Sequence, residues 1–323
     1  MAVDNLASLT RANAQEILAA FKLDRLGRFQ PLAEYLARFP ARRLSRKILR
    51  FDDLVGQHGL AAAGRYILDE FTGSIHIEGQ PHVPRCGPVL AVANHPGMVD
   101  IMAICVALET RPDLKIIASE RTILQLIPNL RSRLLLVSSR TGGRSGLLRD
   151  AASHLRQGRA VLTFPAGAIE PDPSVRVVDT LSGWSDSSEL LVRLVPEAVV
   201  LPIAVSGVIS RTALQHRIAR RFADPKEREW AAATLQVLCR RLRDTRTRVV
   251  IGEPISARQF TRQAIHSAMA SLLTRMSCPH TEDLATGNQT KPIMSSPRGR
   301  GLAATGLTAI STSGPGSSSD NSG

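Results

Sequence analysis

The chain has 323 residues, of which 43% are hydrophobic and only 4% aromatic, and Lys and Arg exceed Asp and Glu by 41 − 28 = 13. This composition provides an aliphatic core large enough for one large domain or two smaller ones. The basic excess favours nucleic acid, an anionic membrane surface or a phosphorylated substrate as partner. No window of 18 apolar residues is free of charge, which argues against a transmembrane helix.

Residues 1–73 are predicted to be helical, because apolar residues recur at helical spacing and no β-rich run occurs. The first twenty residues contain no continuous apolar stretch, so we expect no signal peptide. The segment from Arg38 to Arg50 contains six basic residues and no acidic one, with apolar residues between them. It is either a membrane-surface platform, where each basic residue contributes about 1 kcal/mol, or a solvated basic face of a packed helix.

Residues 74–278 alternate short β-branched runs with longer helical stretches. Several of the runs are apolar on both faces, as in strands covered by helices on each side. We therefore expect an α/β domain whose mostly parallel sheet is covered by helices on both faces. The predicted strands are Ser74–Glu78, Pro88–Ala93, Leu114–Ala118, Leu134–Val137, Ala160–Phe164, Val199–Ala204 and Arg248–Ile251.

Residues 279–323 are rich in Gly, Ser, Thr and Pro and contain no Val, Cys or aromatic residue. Such a segment buries too little apolar surface to offset its ordering entropy, so a disordered C-terminal tail is predicted. The four cysteines of the chain form no CxxC pair and have no histidine at zinc-ligand spacing, which is typical of a reduced, cytoplasmic protein without a metal site.

The segment from Asn94 to Asp100 is the strongest candidate for chemistry. It follows an apolar strand, and sites in open α/β sheets lie at the carboxyl ends of strands. Pro96 and Gly97 place His95 in a turn and Asp100 in the first turn of the next helix, where its carboxylate can reach the imidazole. A carboxylate on one ring nitrogen fixes the tautomer and makes the other nitrogen a better base. By geometry alone, a capping pair with an incidental histidine is an equal alternative.

Three further segments follow predicted strands. The turn around Gly167, in Phe164–Pro171, either exposes backbone N–H groups to an anion or is an ordinary strand-end turn. Arg140 either binds a phosphate bidentately or is a solvated loop arginine. Val199–Gly207 is mainly a core strand. The chain has no P-loop, GxGxxG, HExxH or nucleophile elbow, which suggests that the nucleophile belongs to the substrate.

In this order, the four segments resemble the glycerolipid acyltransferase family typified by 1-acylglycerol-3-phosphate acyltransferases. His95 and Asp100 match the H-x4-D motif of the first block, and Asn94 matches the Asn that usually precedes it. Arg140 is similar to the arginine that typically ends the second block. The resemblance covers residues 75–255.

The third and fourth blocks of this sequence differ from the typical family patterns. The third block is typically F-P-E-G-T-R, and here it is Phe164-Pro165-Ala166-Gly167-Ala168-Ile169; the fourth, a V-P-[IV] strand, is similar to Leu201-Pro202-Ile203. Ala166 replaces the usual Glu, and Ile169 stands where an Arg is common. Some hemolysin-like and lysophospholipid-type branches also carry F-P-A-G. Glu170 is a candidate to substitute for the lost carboxylate.

The resemblance implies transfer of a fatty acyl chain from acyl-CoA or acyl-ACP to a hydroxyl of a lysophospholipid or glycerol-phosphate-type acceptor. His95 would be the general base and Asp100 would orient it. No metal or other cofactor is expected, and the protein is expected in the cytoplasm, associated peripherally with an anionic membrane surface. The predicted substrate-binding residues are Asn94, Arg140, Phe164, Pro165, Gly167 and Glu170.

Two alternatives remain at the sequence level. The first is a catalytically inactive family member that binds lipid, because Ala166 departs from the commonest pattern. The second is a basic nucleic-acid-binding protein, which the charge supports. Against it, the chain has only two Trp and two Tyr for base stacking and no helix-turn-helix, RRM or zinc pattern, so no nucleic acid is expected.

Overall fold

The computed structural model describes residues 2–25, 27–97, 99–137, 143–176 and 178–277. The predicted disordered tail, residues 279–323, lies outside this part, as does Arg140.

Two long helices form the N-terminal region, as predicted. Helix α1 spans Ala2–Ala20 and helix α2 spans Gln30–Phe71, and the two pack against each other. Helix α2 is interrupted at Gly59, whose φ of 82° and ψ of 177° are not helical. Glycine adopts a positive φ without a Cβ clash, so the chain changes direction there at low cost.

A single eight-stranded sheet forms the centre of the protein, in the order β1-β7-β6-β2-β5-β3-β4, with β8 paired to β6. The five strands from β6 to β4 are mutually parallel, whereas β7 is antiparallel to β6 and parallel to β1. The strands are β1 Ser74–Glu78, β2 Val89–Ala93, β3 Lys115–Ser119, β4 Leu134–Val137, β5 Ala160–Thr163, β6 Val199–Ser206, β7 Arg246–Ile251 and β8 Ile255–Ser256.

Helices cover both faces of the sheet. Strand β2 is buried along its whole length because its residues alternate between two cores: Ala91 packs with α2 and α3 on one face, and Val92 packs with α5, α6 and α9 on the other. These helices are α3 Asp100–Ala107, α4 Pro128–Arg131, α5 Gly143–Arg156, α6 Ser187–Leu194, α7 Arg211–Gln215, α8 Pro225–Leu238 and α9 Arg262–Ser277.

The predicted fold class is confirmed, and all seven predicted strands are present with ends that shift by two residues at most. The shifts follow from pairing: β7 begins at Arg246 because that residue pairs with Ser74, and β6 extends to Ser206 because that residue pairs with Arg248. Strand β8 was not predicted, since a two-residue strand has no periodicity to detect. Among the helices described by the structure, none is long and apolar enough to cross a membrane.

Candidate active site

Three neighbouring parallel strands, β5, β2 and β6, end at the same edge of the sheet. The turn after β2 contains Asn94 and His95, the turn after β5 begins with Phe164, and the turn after β6 begins with Gly207. The carboxyl ends of these strands therefore bring the first, third and fourth sequence blocks together. Sites in open α/β sheets are expected at this position.

Asn94 joins two of these strands. Its Nδ2 donates to the carbonyl of Val205 at 2.9 Å, and its Oδ1 accepts from the N–H of Val205 at 2.7 Å. The side chain is 1% exposed, and this pair of bonds uses both of its polar atoms. Asn94 thus aligns the turn after β2 with β6, and its predicted contact with substrate stays a prediction.

His95 and Asp100 form the pair that the spacing predicts. Nδ1 of His95 lies 2.7 Å from Oδ2 of Asp100, the first residue of α3, and the same oxygen accepts the N–H of Gly97 at 3.0 Å. Gly97 has a φ of 128°, which favours glycine and folds the turn back onto the helix. Because a carboxylate accepts only, Nδ1 carries the proton and Nε2 is left as the basic nitrogen.

The charges around His95 favour its protonated form. Burial lowers the pKa of His95, but the hydrogen bond and charge of Asp100, together with the charge of Glu170, outweigh burial, and the net pKa is raised. The nearby Arg121 acts in the lowering direction. The His95 side chain is 22% exposed whereas that of Asp100 is fully buried, so solvent or substrate reaches the histidine but not the carboxylate.

The third block lies directly against His95. The ring of Phe164 is 4.7 Å from the imidazole, centroid to centroid. Gly167, with a φ of 64°, donates its N–H to the carbonyl of Phe164 at 3.0 Å, so this amide closes a turn. Pro165 accepts the N–H of Ser185 at 3.0 Å. The structure therefore brings all three residues to the site, while substrate contacts by Phe164, Pro165 and Gly167 stay predictions.

Glu170 also lies at the site, and both of its carboxylate oxygens are engaged within the protein. Oε2 accepts the backbone N–H of His95 at 2.7 Å and Oε1 accepts the indole N–H of Trp184 at 3.0 Å. Glu170 is 6% exposed. A direct contact between Glu170 and substrate stays a prediction, and the observed contacts favour a structural link to His95.

A family model described as Acyltransferase matches residues 74–206, from the start of β1 to the end of β6. The chain carries an acyltransferase domain. The match includes His95, Asp100 and the third and fourth blocks, and it confirms the family and the enzyme class predicted from the sequence.

A comparison with solved structures finds the crystal structure of the 1-acyl-sn-glycerophosphate (LPA) acyltransferase PlsC from Thermotoga maritima. The TM-score is 0.47 and the identity 18%, over 84% of this chain and 98% of that chain. A search of curated proteins finds no match.

A cavity of about 440 Å³ opens at the turn that follows His95 in the acyltransferase domain and reaches helix α1. Its lining includes Pro96 and Gly97 from the turn of the first block, Ile169 from the third block, Glu16 from α1 and Trp230 from α8. Its volume lies within the range of ordinary ligand pockets. The cavity is therefore large enough to hold part of a substrate next to the candidate base.

Three cations border this cavity: Arg121, Arg176 and Lys226. Arg176 pairs with Glu229 at 3.3 Å, whereas the side chains of Arg121 and Lys226 are exposed and make no hydrogen bond or ion pair in the part of the chain that the structure describes. Arg121 was not among the site residues predicted from the sequence. The signal was present, because Arg121 follows the carboxyl end of β3 just as His95 follows that of β2.

Asp172 was also missed, and it anchors the segment after the third block. Its carboxylate accepts the N–H groups of Gly207, Val208 and Ile209 at 2.9, 2.7 and 3.1 Å. It also accepts the backbone N–H and the hydroxyl O–H of Ser174, at 2.9 Å each. Asp172 is fully buried. This residue therefore fixes the third block to the loop after β6.

A second cavity, of about 310 Å³, lies behind the same anchored segment. Its lining is mainly apolar and includes Pro173, Leu181, Ala270 and Leu273, together with Asn94. Across the described ranges, no group of three or more His, Cys, Asp or Glu side chains is arranged to hold a metal ion.

Proposed function

We propose that this acyltransferase moves a fatty acyl chain from a thioester, acyl-CoA or acyl-ACP, to a hydroxyl of a lysophospholipid or glycerol-phosphate-type acceptor. The observation that carries the proposal is the 2.7 Å contact between Nδ1 of His95 and Oδ2 of Asp100, which leaves Nε2 of a partly exposed histidine as the basic nitrogen. The next two residues, Pro96 and Gly97, line a cavity of about 440 Å³.

The chemistry follows from the proton positions. Nε2 of His95 takes the proton of the acceptor hydroxyl while the oxygen attacks the thioester carbonyl, and Asp100 stabilises the imidazolium that forms. The tetrahedral intermediate collapses with cleavage of the carbon–sulfur bond, and the imidazolium returns the proton to the leaving thiolate. The products are an ester and a free thiol, and His95 is regenerated.

A direct transfer is favoured over a covalent acyl-enzyme. Cys105 lies on α3, which begins at Asp100, but it is 2% exposed and its burial raises the pKa of the thiol to about 12. A thiol that stays protonated at neutral pH is a poor nucleophile. The acceptor hydroxyl is therefore the nucleophile in this proposal.

Positive charge at the cavity suits a phosphate-bearing acceptor. Arg121 and Lys226 line the cavity without an ion-pair partner among the described residues, and Arg binds phosphate oxygens bidentately. Ile169, which stands where the family commonly has an arginine, lines the same cavity and is 64% exposed. We infer that Arg121 and Lys226 supply the charge that Ile169 does not, beside the predicted role of Arg140.

The first half of α2 has the features of a membrane-surface helix. Leu32, Tyr35, Leu36 and Phe39 are 57–83% exposed, and their spacing places them along one side of the helix. These four side chains are exposed, as is that of Phe29, which precedes the helix and has the guanidinium of Arg28 over its ring at 4.9 Å. Large exposed apolar patches mark interaction sites. We call these five residues the α2 apolar surface.

The basic residues of α2 adjoin this surface. Arg38, Arg42, Arg43 and Arg46 are exposed, whereas the apolar residues between them, such as Leu44, are partly buried against the core. A helix that combines exposed apolar and basic side chains binds anionic lipid surfaces. Helix α1, which packs on α2, also lines the cavity through Glu16, so the proposed membrane surface and the cavity lie on adjoining elements.

The proposal is tested by acyl transfer from radiolabelled acyl-CoA, and separately from acyl-ACP, to a panel of lysophospholipids and glycerol phosphate presented in anionic vesicles. Wild type is compared with His95→Ala and with His58→Ala, a matched control at an exposed histidine of α2. We expect transfer by wild type and the control, and a loss of about 1,000-fold or more in His95→Ala.

Transfer that survives in His95→Ala contradicts the assignment of the base. No transfer from wild type with either donor, together with binding of the vesicles, supports instead the alternative of a lipid-binding protein without catalysis.

A further inference from the structure

Glu170 holds the backbone of His95 at two points. The N–H of His95 donates to Oε2 of Glu170 at 2.7 Å, and the N–H of Glu170 donates to the carbonyl of His95 at 2.8 Å. The two residues are 75 positions apart in sequence and follow different strands of the sheet. The peptide groups on both sides of the His95 Cα are thus fixed by one residue.

Trp184 in turn holds Glu170. Its indole N–H donates to Oε1 at 3.0 Å, and its ring is 3% exposed within the core formed with α9 and packs edge-on against His266. The carbonyl of Trp184 accepts from Arg262 at 3.0 Å, which ties the loop to α9. Trp184, Glu170 and His95 therefore form a chain of hydrogen bonds from the core to the candidate base.

The chain of contacts from Trp184 through Glu170 fixes the backbone of His95, whereas Asp100 fixes its ring. Asp100 sets the rotation of the imidazole through Nδ1, whereas Glu170 sets the position of the backbone from which the ring extends. A general base must lie within hydrogen-bond reach of the proton it removes, and a displacement of about 1 Å is enough to cost about 100-fold in rate.

Burial of the Glu170 carboxylate also costs folding free energy. This cost argues against the view that the contacts of Glu170 are incidental. A carboxylate that is 6% exposed loses its hydration, and its hydrogen bonds at the two oxygens come from neutral N–H groups rather than from a cation. A neutral or apolar residue at this position would avoid that cost if Glu170 only filled space.

We propose that Glu170 is a positioning residue of this acyltransferase, held by Trp184, and that it acts by binding the backbone of His95. The proposal rests on the proposed function of His95. It assigns Glu170 no contact with the reacting atoms.

The charge of Glu170 gives the proposal a second readout. The charged groups that act on His95 are Asp100 and Glu170, which raise the pKa of the imidazole, and Arg121, which lowers it; burial also lowers it. Removing the charge of Glu170 is therefore expected to lower the pKa of His95.

The test uses Glu170→Gln, Trp184→Phe and the double variant. The amide of Gln has one acceptor oxygen, so its NH2 must face either the His95 N–H or the Trp184 indole N–H, and two donors repel. Trp184→Phe removes the indole N–H and leaves room for the amide. We expect Glu170→Gln to lower kcat by about tenfold to a hundredfold with KM changed less than about twofold, and the double variant to regain part of that loss.

Glu253→Gln, at an exposed position whose side chain makes no hydrogen bond or ion pair with the described residues, is the matched control and keeps wild-type kcat. Thermal melting shows whether each variant is folded. If Glu170→Gln is not, Trp184→Phe alone still tests the chain: its buried ring predicts a lower melting temperature, and a fall in kcat is expected at temperatures where the variant remains folded. A double variant no better than Glu170→Gln overturns the proposal.

The pKa of His95, measured by NMR titration of the free protein without substrate, separates this proposal from the function. We expect a lower pKa in Glu170→Gln than in wild type and in Glu253→Gln. An unchanged pKa overturns the proposal even if the enzyme is active. Wild-type inactivity with every donor, together with a lowered pKa in Glu170→Gln, would reject the proposed function and leave the Glu170 contact in place.

Discussion

Nδ1 of His95 lies 2.7 Å from Oδ2 of Asp100, and the protein buries this carboxylate completely while leaving the histidine partly exposed. A buried carboxylate of this kind fixes the imidazole tautomer and stabilises positive charge on the ring without competing for the substrate. The effects on rate and on pH dependence that are expected from substitutions of His95 and Asp100 follow from this contact.

Asp100→Asn is expected to lower kcat by about 100- to 10,000-fold with little change in KM, because the amide can present its NH2 to Nδ1 and favour the wrong tautomer. Steady-state kinetics with the preferred lysophospholipid measure the loss. Asp53→Asn, at an exposed position of α2, is the control and should keep wild-type kcat. Equal losses in the two variants would contradict the role of Asp100.

The pH dependence of kcat/KM should report the raised pKa of His95. The base must be neutral, so activity is expected to rise with pH and to reach half its maximum above pH 6.5, the ordinary value for histidine. A kinetic profile between pH 5 and 9 measures this limb. A midpoint well below 6.5 would mean that another group controls the rate.

The same shift predicts how stability depends on pH. Because the pKa of His95 is raised in the folded state, protonated His95 stabilises the protein fully at pH values below its unfolded-state pKa, near 6.5. This contribution is lost as the pH rises through the folded-state pKa. Thermal melting of wild type and His95→Gln from pH 5 to 9 should therefore show a difference that decreases towards alkaline pH. A difference that grows with pH would contradict the sign of the shift.

Arg121→Gln is expected to raise KM for phosphate-bearing acceptors roughly tenfold, because a hydrogen bond to a charged group is worth about 1.5–3 kcal/mol. An acceptor without phosphate, such as a monoacylglycerol, should show no such change. Arg258→Gln, an exposed arginine away from the cavity lining, is the control. An equal rise in KM for both kinds of acceptor would rule out phosphate recognition by Arg121.

Asp172→Ala is expected to lower the free energy of unfolding by about 3 kcal/mol or more, since it leaves the N–H groups after β6 without their acceptor. For a domain of this size the melting temperature should fall by roughly 6–12 °C. Asp179→Ala removes a carboxylate that also accepts backbone N–H groups but is exposed, and should cost less than about 1 kcal/mol. Equal losses would contradict the anchoring role.

Leu36→Glu combined with Phe39→Glu is expected to reduce binding to anionic vesicles at least tenfold without lowering the melting temperature, because both side chains are exposed. Vesicle co-sedimentation at two salt concentrations measures the binding, and the basic residues should make it weaker at high salt. Leu190→Glu, on the exposed side of α6, is the control. Unchanged binding would remove the α2 apolar surface from the proposal.

Sequence patterns correctly predicted those parts of the fold that depend on neighbouring residues in the chain. Strand β2 was recognisable because a run buried on both faces is apolar throughout, and Asp100 was correctly expected at the start of a helix because Pro96 and Gly97 break the chain before it. The basic segment of α2 was also recognised. Its apolar residues were misleading, since Leu44 and Phe51 pack inward while the exposed ones lie upstream, from Phe29 to Phe39.

By itself, the sequence determined the order of strands and helices, the five-residue spacing that pairs His95 with Asp100, and the acyltransferase family. Only the tertiary structure decided that Glu170 binds the His95 backbone, that Asp172 anchors the loop after β6, and that Arg121 lies near the base. The reason is physical. Spacing along one turn or helix follows from backbone geometry, whereas contacts between the ends of different strands depend on the strand order, which pairing and packing of the whole sheet select.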